Sequence, residues 1–340
     1  MFRRALSALV LLVLGVALLL AAWPQLLGLQ RLPGVVQVTT MRGLLAAIAL
    51  LVVVLFTLIA LTSRYWRGFA GAVALLVLVF AGIQFAVLST RGADEQPFPA
   101  KDAGDVTVLS WNTLGDNPPL ETVVALVVDE DADIVVLPET SAEYATAIQD
   151  AVQAAGGTEF QLLGLAYDDV SKARSTMLLI DVELGAYERD DSRGGTDTLP
   201  SVVAVPVDGI GPTIVGAHPV APVPGEMTGW TQGLSWLAAR CAGDDVILAG
   251  DLNSTLDHYT GLDAASDAGG GLGGCRDAAR VTGTAAIGTW PAVLPTLLGA
   301  PIDHVMATPN WDVRGFRVIT STDGAGSDHR PVVALLSPAS

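Results

Sequence analysis

Three long apolar stretches occupy the first ninety residues of the chain. They cover about residues 5–23, 43–62 and 69–88, and none contains a charged residue. Each has about the 20 residues that a helix needs to cross a bilayer. The first could instead be a cleaved signal peptide, since Arg3 and Arg4 precede it. Its length, the lack of an evident small-residue cleavage site and the two further stretches favour a membrane helix. The pattern therefore predicts a membrane region, residues 1–91, with three transmembrane helices.

The pattern changes after a polar, Pro- and Gly-containing segment at residues 92–104, which is predicted to be a linker. Short apolar runs at residues 106–113, 133–140, 213–219 and 246–249 predict buried strands. Amphipathic segments between them predict helices at residues 120–130, 142–155 and 228–241, the last with Thr228 as a candidate N-cap. Weaker runs predict strands at residues 160–163, 175–181, 199–207, 301–306, 313–320 and 332–336. Residues 264–274, rich in Gly, Ala and Asp, are predicted to form a flexible loop. Residues 105–340 thus form a predicted α/β domain.

Polar residues suited to metal binding or proton transfer recur where the predicted strands end. Asp251 and Asn253 follow one strand directly, and in extended backbone residues two apart share a face. Taken alone, Gly250-Asp251-Leu252-Asn253 is more often just an Asx-turn. Eight such residues at equivalent positions of one domain favour a functional site. They are Asn112, Glu139, His218, Asp251, Asn253, Asp303, Asp328 and His329.

The segments around these residues resemble the motifs of the endonuclease/exonuclease/phosphatase superfamily, which includes deoxyribonuclease I. The match covers about residues 105–337. The matching segments, in family order, are Ser110-Trp111-Asn112-Thr113, Leu137-Pro138-Glu139-Thr140, Ala217-His218-Pro219, Gly250-Asp251-Leu252-Asn253, Ile302-Asp303-His304-Val305 and Ser327-Asp328-His329-Arg330-Pro331. The resemblance implies a four-layer α/β sandwich, in which two mixed β-sheets pack together with helices outside.

Two positions depart from the DNA-repair branch of this superfamily. That branch has an acidic residue where this chain has Leu114, and a tyrosine where it has His218. The histidine resembles the deoxyribonuclease I and lipid-phosphodiesterase side of the superfamily. A repair nuclease is therefore a poor match.

Phosphodiester hydrolysis needs a positioned water, a base, charge stabilisation at phosphorus and help for the leaving oxygen. Glu139, with Asn112 and Asp328, supplies oxygen ligands suited to Mg²⁺ or Mn²⁺. Asp251 could orient or deprotonate the water, and Asn253 could donate to the transition state. The remaining candidates are His329, as phosphate contact or base, Asp303, as its carboxylate partner, and His218, near the leaving group or phosphate.

Other polar and aromatic residues are predicted to lie outside this chemistry. His304 follows Asp303 directly and should point to the opposite face of the strand, where it packs or lies at the surface. His258 is predicted to be exposed in a loop. Glu121 and Glu143 are predicted to be solvated helix residues. Trp290 could equally line a substrate groove or pack in the core.

The charge distribution bears on the substrate. The chain carries a formal charge of −17, but residues 1–91 hold seven arginines and no acid. Residues 92–340 contain the remaining 11 basic residues and all 35 acidic ones, so their formal charge is −24. Such a domain repels polyphosphate backbones, so nucleic acid is a disfavoured partner. A lipid headgroup or small phosphoester is favoured. The alternatives are an extracytoplasmic nuclease and a catalytically inactive, membrane-tethered binding module.

The arginines outside the apolar stretches predict an orientation for a multi-pass cell-membrane protein. Arg3 and Arg4 precede the first stretch, and Arg64 and Arg67 lie between the second and third. The positive-inside rule places both segments in the cytoplasm, and an odd number of spans then places the domain outside it. The bias is small, because the opposite loop is also basic.

The chain has two cysteines, Cys241 and Cys275, and both lie in the α/β domain on either side of the predicted strand that ends at Asp251. A pair of cysteines in an extracytoplasmic domain is often joined in a disulfide. The alternative is that both are small buried residues.

Overall fold

The computed structural model describes residues 2–94, 97–243, 245–262 and 271–339. Its first part contains three helices that are long and apolar enough to cross a membrane, α1 (Phe2–Ala22), α3 (Arg42–Thr62) and α4 (Arg67–Arg91). A short helix, α2 (Val35–Thr40), lies in the connection between α1 and α3. The three long helices pack through small and aliphatic side chains together with Phe80.

The end of α1, the start of α3 and the end of α4 lie together beside the following domain. Arg42 donates to the carbonyl of Ala22, and both Arg42 and Arg91 contact Asp257 of that domain. The N-terminus and residues 63–66 are therefore at the other end of the helices, where Arg3 stacks on the ring of Tyr65.

The rest of the described chain forms an α/β domain with thirteen strands and four helices. The strands are β1 (Val106–Ser110), β2 (Ile134–Pro138), β3 (Phe160–Leu165), β4 (Thr176–Asp181), β5 (Tyr187–Arg189), β6 (Val202–Pro206), β7 (Thr213–Ala217), β8 (Val246–Asp251), β9 (Gly271–Leu272), β10 (Cys275–Asp277), β11 (Asp303–Ala307), β12 (Trp311–Val318) and β13 (Val332–Pro338). The helices are α5 (Leu120–Asp129), α6 (Ala142–Ala154), α7 (Met227–Arg240) and α8 (Ala278–Thr282).

These strands form two mixed sheets. One has the order β12-β13-β1-β2-β4-β3, and the other β5-β6-β7-β8-β11-β10-β9. Because successive side chains of a strand point to opposite faces, β2 contributes to two cores. Ile134 and Val136 pack between the sheets, whereas Val135 and Leu137 face α5 and α6. This is the predicted sandwich of two mixed sheets flanked by helices.

Two local predictions need correction or limits, and one short strand was not predicted. Helix α7 begins at Met227 after Glu226, which is already in helical conformation, so Thr228 lies inside the first turn and is not the N-cap. Of the predicted flexible loop, residues 264–270 lie outside the described residues, whereas Gly271 and Leu272 form β9 by pairing with β10. Strand β5 was missed because only three residues form it and two of them are exposed.

The topology brings six strand ends to one edge of the sandwich. β1 and β2 are parallel, and so are β7 and β8, so their carboxyl ends are adjacent within each sheet. β13 runs antiparallel to β1, and β11 runs antiparallel to β8, so both begin at this edge. The polar residues that end or begin these strands can therefore meet.

Cys241 and Cys275 are joined in a disulfide between the end of α7 and the start of β10. The segment that it closes contains β8 and the loop that follows this strand. Both cysteines are buried.

Candidate active site

The end of β8 sets the position of the first candidate residue. Asp251 lies directly opposite Asp303 of β11 in the antiparallel register. Gly250 has φ 147°, and a Cβ there would lie 1.9 Å from the carbonyl oxygen of Ala217. Only glycine allows β7 and β8 to approach this closely, so Gly250 fixes the direction in which Asp251 leaves the strand.

Two of the eight candidates adopt backbone conformations that are unusual for non-glycine residues. Glu139 has φ 54° and Asn253 has φ 46°. The backbone N–H of Asn253 donates to Asp251 Oδ1 at 2.8 Å, and Nε1 of Trp230 donates to the carbonyl of Asn253 at 3.0 Å. Strained residues that the surroundings hold in place are concentrated at functional sites.

Asn112 links the two sheets. Its Nδ2 donates to Glu139 Oε1 at 3.0 Å and to Asp251 Oδ2 at 3.1 Å, while its Oδ1 accepts from the N–H of Leu114 at 3.0 Å. The amide orientation is assigned from this network. Asn112 therefore holds a carboxylate of each sheet at a defined separation.

His329 lies between three carboxylates. Its Nδ1 is 2.9 Å from Asp303 Oδ2, and its Nε2 is 3.7 Å from Asp251 Oδ2 and 4.0 Å from Asp328 Oδ1. The Asp303 contact fixes the ring orientation and directs Nε2 towards Asp251. The backbone of His329 is itself held, because Nε1 of Trp111 donates to its carbonyl at 2.9 Å.

The carboxylates and the imidazole shift one another's titration. Burial by itself would lower the pKa of His329, but Asp303 and Asp251 outweigh it and raise this pKa to about 10. Burial raises the pKa of Asp251 to about 7. The positive charge of His329 opposes this rise, and the negative charge of Asp303 adds to it. His329 is therefore an imidazolium at neutral pH, while Asp251 can exchange a proton there.

Glu139, Asp328 and His218 form the other half of the site. Trp290 Nε1 donates to Asp328 Oδ2 at 2.8 Å. The buried Oδ1 of Asp328 and Nε2 of His218 have no hydrogen-bond partner among the described residues, and this Nε2 is 3.8 Å from Glu139 Oε1. Burial raises the pKa of Glu139, and burial followed by the charge of His329 lowers that of His218 to about 3. His218 is thus a neutral imidazole.

The eight side chains together are named here the edge cluster. They comprise four carboxylates, two amides, one imidazolium and one neutral imidazole. The acid excess and the unpartnered Oδ1 of Asp328 fit a divalent cation held by oxygen ligands. Ligand atoms of Asp251, Asp303 and His329 also all lie within 4.8 Å of one another. His329 could join them in holding a cation only after losing the proton that its raised pKa favours.

The other histidines occupy different environments. His304 points away from the edge cluster, and its Nδ1 and Nε2 contact Asp277 Oδ2 at 2.7 Å and the carbonyl of Ser254 at 3.0 Å. The prediction of an exposed His258 is wrong, because this residue is buried in a single-turn helix and its Nε2 is 3.2 Å from Thr39 Oγ1 of α2. The sequence could not show this burial, since it comes from the membrane region.

Glu121 and Glu143 are exposed, as predicted for solvated helix residues. Trp290 is partly buried and, by donating to Asp328, supports the edge cluster directly. Sequence reasoning missed the supporting roles of Trp111 and Trp230. The role of Trp111 could have been predicted from its position beside Asn112. The role of Trp230 could not, because this residue lies on a helix far from the candidate residues in sequence.

Comparison with known proteins identifies the family. The sequence pattern of the endonuclease/exonuclease/phosphatase family matches residues 109–329, which include every member of the edge cluster. The chain belongs to the endonuclease/exonuclease/phosphatase family. Members of this family are generally metal-dependent phosphoester hydrolases. No curated protein matches the chain.

Two solved structures show the same fold at low sequence identity, and a third is a weaker match. A humanized TDP2 from D. rerio is 13% identical, with a TM-score of 0.52, and the match covers 69% of this chain and 100% of that one. D. rerio TDP2 complexed with a single-strand DNA product is 14% identical, with a TM-score of 0.51 and coverage of 69% and 100%. A mannosyl-6-phosphatase from Bacteroides thetaiotaomicron is 16% identical, with a TM-score of 0.48 and coverage of 68% and 99%.

Proposed function

We propose that the protein is a membrane-anchored, divalent-metal-dependent phosphoester hydrolase, a phosphodiesterase or phosphatase that acts at the edge cluster. The observation that carries this proposal is the convergence of four carboxylates and His329 on one site in a chain of this family. A purely structural cluster would hydrogen-bond each enclosed carboxylate oxygen. Here Asp328 Oδ1 has no hydrogen-bond partner among the described residues, and His329 Nε2 lies 4.0 Å from it.

Glu139 and Asp328 would hold Mg²⁺ or Mn²⁺, and Asn112 would join them if its amide turned to present Oδ1 instead of Nδ2. A bound cation would act as a Lewis acid on a phosphoryl oxygen. Asn112 and His218 are fully buried, whereas the Asp328 side chain is 43% exposed, so the site is open to solvent on the Asp328 side.

The titration of Asp251 and His329 supports separate roles for the two residues. Asp251, with a pKa of about 7, accepts the proton of the attacking water. His329 remains an imidazolium, oriented by Asp303, and donates a hydrogen bond to a phosphoryl oxygen. Asn253 positions Asp251 through its backbone N–H, and its Nδ2, which donates to the carbonyl of Pro219 and to Asp251 Oδ2, would have to give up one of these bonds to donate to the phosphoryl group. His218 lies beside the leaving group.

A lipid headgroup or another phosphoester presented at the membrane is the favoured substrate. The loops that follow β7 and β8 carry edge-cluster residues and also contact the membrane region. Gln37 of α2 donates to the carbonyl of Pro222, and Thr39 contacts His258. The site therefore lies on the part of the domain that is tied to the helix ends.

The orientation is a further part of the proposal. Arg3, Arg4, Arg64 and Arg67 lie at the helix ends opposite the domain, against Arg31, Arg42 and Arg91 at the domain end. This small excess supports a domain outside the cytoplasm by the positive-inside rule. The disulfide between Cys241 and Cys275 agrees with an oxidising compartment.

Metal-dependent turnover tests the function. The full chain in nanodiscs should hydrolyse bis(p-nitrophenyl) phosphate or p-nitrophenyl phosphate with Mg²⁺ or Mn²⁺, and a chelator should abolish turnover. Phosphatidylglycerol and single-stranded DNA are assayed alongside. His329→Gln, which lacks the charge, is the matched inactive control.

Turnover that persists in the chelator contradicts the proposal. Cleavage of DNA alone would favour a nuclease, and no turnover on any substrate would favour the inactive binding module.

A further inference from the structure

A pocket of about 640 Å³ lies where the membrane region meets the α/β domain. We call it the junction pocket. Its wall is formed by the end of α1, the start of α3 and the last turns of α4 on one side. The loop after β8 and α8 form the other side. Of the described residues that line it, none belongs to the edge cluster. The junction pocket is thus separate from the candidate active site.

The chemical character of the junction pocket changes along α4. Ile83, Ala86 and Val87 form an apolar wall, and Arg91 follows in the last turn. Eight residues of helix separate Ile83 from Arg91, a rise of about 12 Å. The apolar wall therefore belongs to the membrane-spanning part of α4, whereas Arg91 lies at the helix end next to the domain.

Among the described residues, the polar end of the junction pocket has more positive than negative charge. Three of these residues are arginines, Arg42, Arg91 and Arg280, and one is an acid, Asp257. Burial favours the neutral carboxyl, but Arg91 and Arg42 outweigh it and hold the pKa of Asp257 well below its usual range. One ionised carboxylate therefore faces three guanidinium groups, which leaves two formal positive charges in excess.

The three arginines differ in how far they are engaged. Arg42 contacts Asp257 through Nε at 2.8 Å and Nη2 at 2.7 Å, and it also donates to Ala22. Arg91 contacts the same carboxylate through Nη2 at 2.8 Å. Arg280 is exposed and donates to the carbonyl of Thr90 at 2.6 Å. Arg280 and Arg91 are therefore the guanidinium groups that face an incoming anion.

We propose that the junction pocket binds an anionic phospholipid. The lipid phosphate contacts Arg280 and Arg91, and the acyl chains lie along Ile83, Ala86 and Val87. Guanidinium groups match phosphate oxygens in geometry and charge, so two of them beside an apolar helix wall fit the headgroup phosphate and the chains of an anionic phospholipid. This site does not depend on the proposed hydrolysis, since it uses other residues and its test does not measure turnover.

Native mass spectrometry of the full chain tests the binding. The protein is reconstituted in nanodiscs of phosphatidylcholine containing a minority of phosphatidylglycerol, then released into detergent, and the retained lipids are counted. The wild type should retain phosphatidylglycerol in preference to phosphatidylcholine. Arg280→Glu should reduce the retained phosphatidylglycerol roughly fivefold or more. Arg193→Glu, which reverses an exposed arginine paired with Asp190, is the matched control and should retain it as the wild type does.

A second variant and a competitor separate a lipid from a free phosphate. Val87→Trp fills the apolar wall and leaves the arginines in place, so it should also lower phosphatidylglycerol retention. Inorganic phosphate added to the detergent sample should not displace the bound lipid. Equal retention of the two lipids by the wild type, or unchanged retention in Arg280→Glu, overturns the proposal. Displacement by inorganic phosphate together with unchanged retention in Val87→Trp also overturns it, in favour of a soluble anion site.

Discussion

Two polar clusters of opposite charge balance contain aspartates that are six residues apart in the chain, Asp251 at the end of β8 and Asp257 in the loop after it. In the edge cluster, Asp251 shares its surroundings with Asp303, so burial and like charge raise its pKa to about 7 although His329 opposes them. At the junction, burial of Asp257 is outweighed by Arg91 and Arg42, which hold its pKa well below the usual range. Burial thus raises the pKa of one aspartate, whereas arginines keep that of the other low.

The histidines of the two clusters show the same contrast. Carboxylates outweigh the burial of His329 and raise its pKa to about 10. Burial dominates at His258 and lowers its pKa to about 4, although Asp257 is adjacent, because arginines also surround it. His258 Nδ1 accepts from the N–H of Thr255 at 2.9 Å, which requires an unprotonated nitrogen. An acid excess therefore suits a cation, whereas an arginine excess suits an anion.

The largest expected effect is the loss of turnover in Asp251→Asn. Removing a positioned base typically costs about 10²–10⁴ in rate. The neutral amide should cost little stability, because the buried carboxylate already resists ionisation. Turnover on a verified substrate and the melting temperature in detergent measure the two effects. A variant with near wild-type turnover would remove Asp251 from the mechanism.

Asp257→Asn should lower stability strongly and turnover little, the reverse of Asp251→Asn. It leaves Arg42 buried without its carboxylate, and breaking a buried ion pair in this way costs about 3–5 kcal/mol of stability. Turnover per folded molecule should change little, since Asp257 belongs to the junction. Asp190→Asn is the control, because the ion pair it breaks is more exposed and such pairs contribute about 0–1 kcal/mol. Equal melting temperatures for the two variants would contradict the contrast between the clusters.

The disulfide closes the segment that contains both aspartates, and its removal should affect both clusters. Its 34-residue separation corresponds to about 3–4 kcal/mol in the chain-entropy model. Cys241→Ala/Cys275→Ala should lower the melting temperature, and peptide mapping without reductant should show the two cysteines linked in the wild type. Complete alkylation of both thiols in unreduced native membranes would count against the bond and against the proposed orientation.

The smallest expected effect is a pH dependence with opposite signs at His304 and His258. Burial opposes the charge of His304, but Asp277 outweighs it and raises the pKa. The stability from His304, about 1.5 kcal/mol for a charged hydrogen bond, is therefore complete below the unfolded pKa of about 6.5 and is lost as pH rises through the folded value. At His258 the folded pKa is lowered, so its stability is present above about pH 6.5 and is lost as pH falls.

Melting temperatures of His304→Leu and His258→Leu, each compared with the wild type from about pH 5 to about pH 9, measure this difference. The advantage of the wild type over His304→Leu should shrink as pH rises, and its advantage over His258→Leu should shrink as pH falls. Parallel curves for both variants would show that the two histidines do not differ in protonation.

Local sequence patterns predicted the strands, the long helices and the polar residues at the strand ends. Hydropathy and the two-residue period are properties of neighbouring positions, so β2 and α4 could be placed without tertiary information. The sandwich itself was implied by motif resemblance, not by periodicity. The interpretation of His258 failed because its burial depends on α2, which is more than two hundred residues away in the chain.

The sequence by itself determined the apolar helices, the acidic domain and the residues that end the strands, because each is a local or compositional property. Only the tertiary structure decided which acids are paired. Arg42 and Asp257 are 215 positions apart, yet their contact determines the charge of the junction. Asp251 and Asp257 are the same residue type only six positions apart, at the end of β8 and in the loop after it. Their pKa values differ because burial and neighbouring charge depend on what folding brings around them.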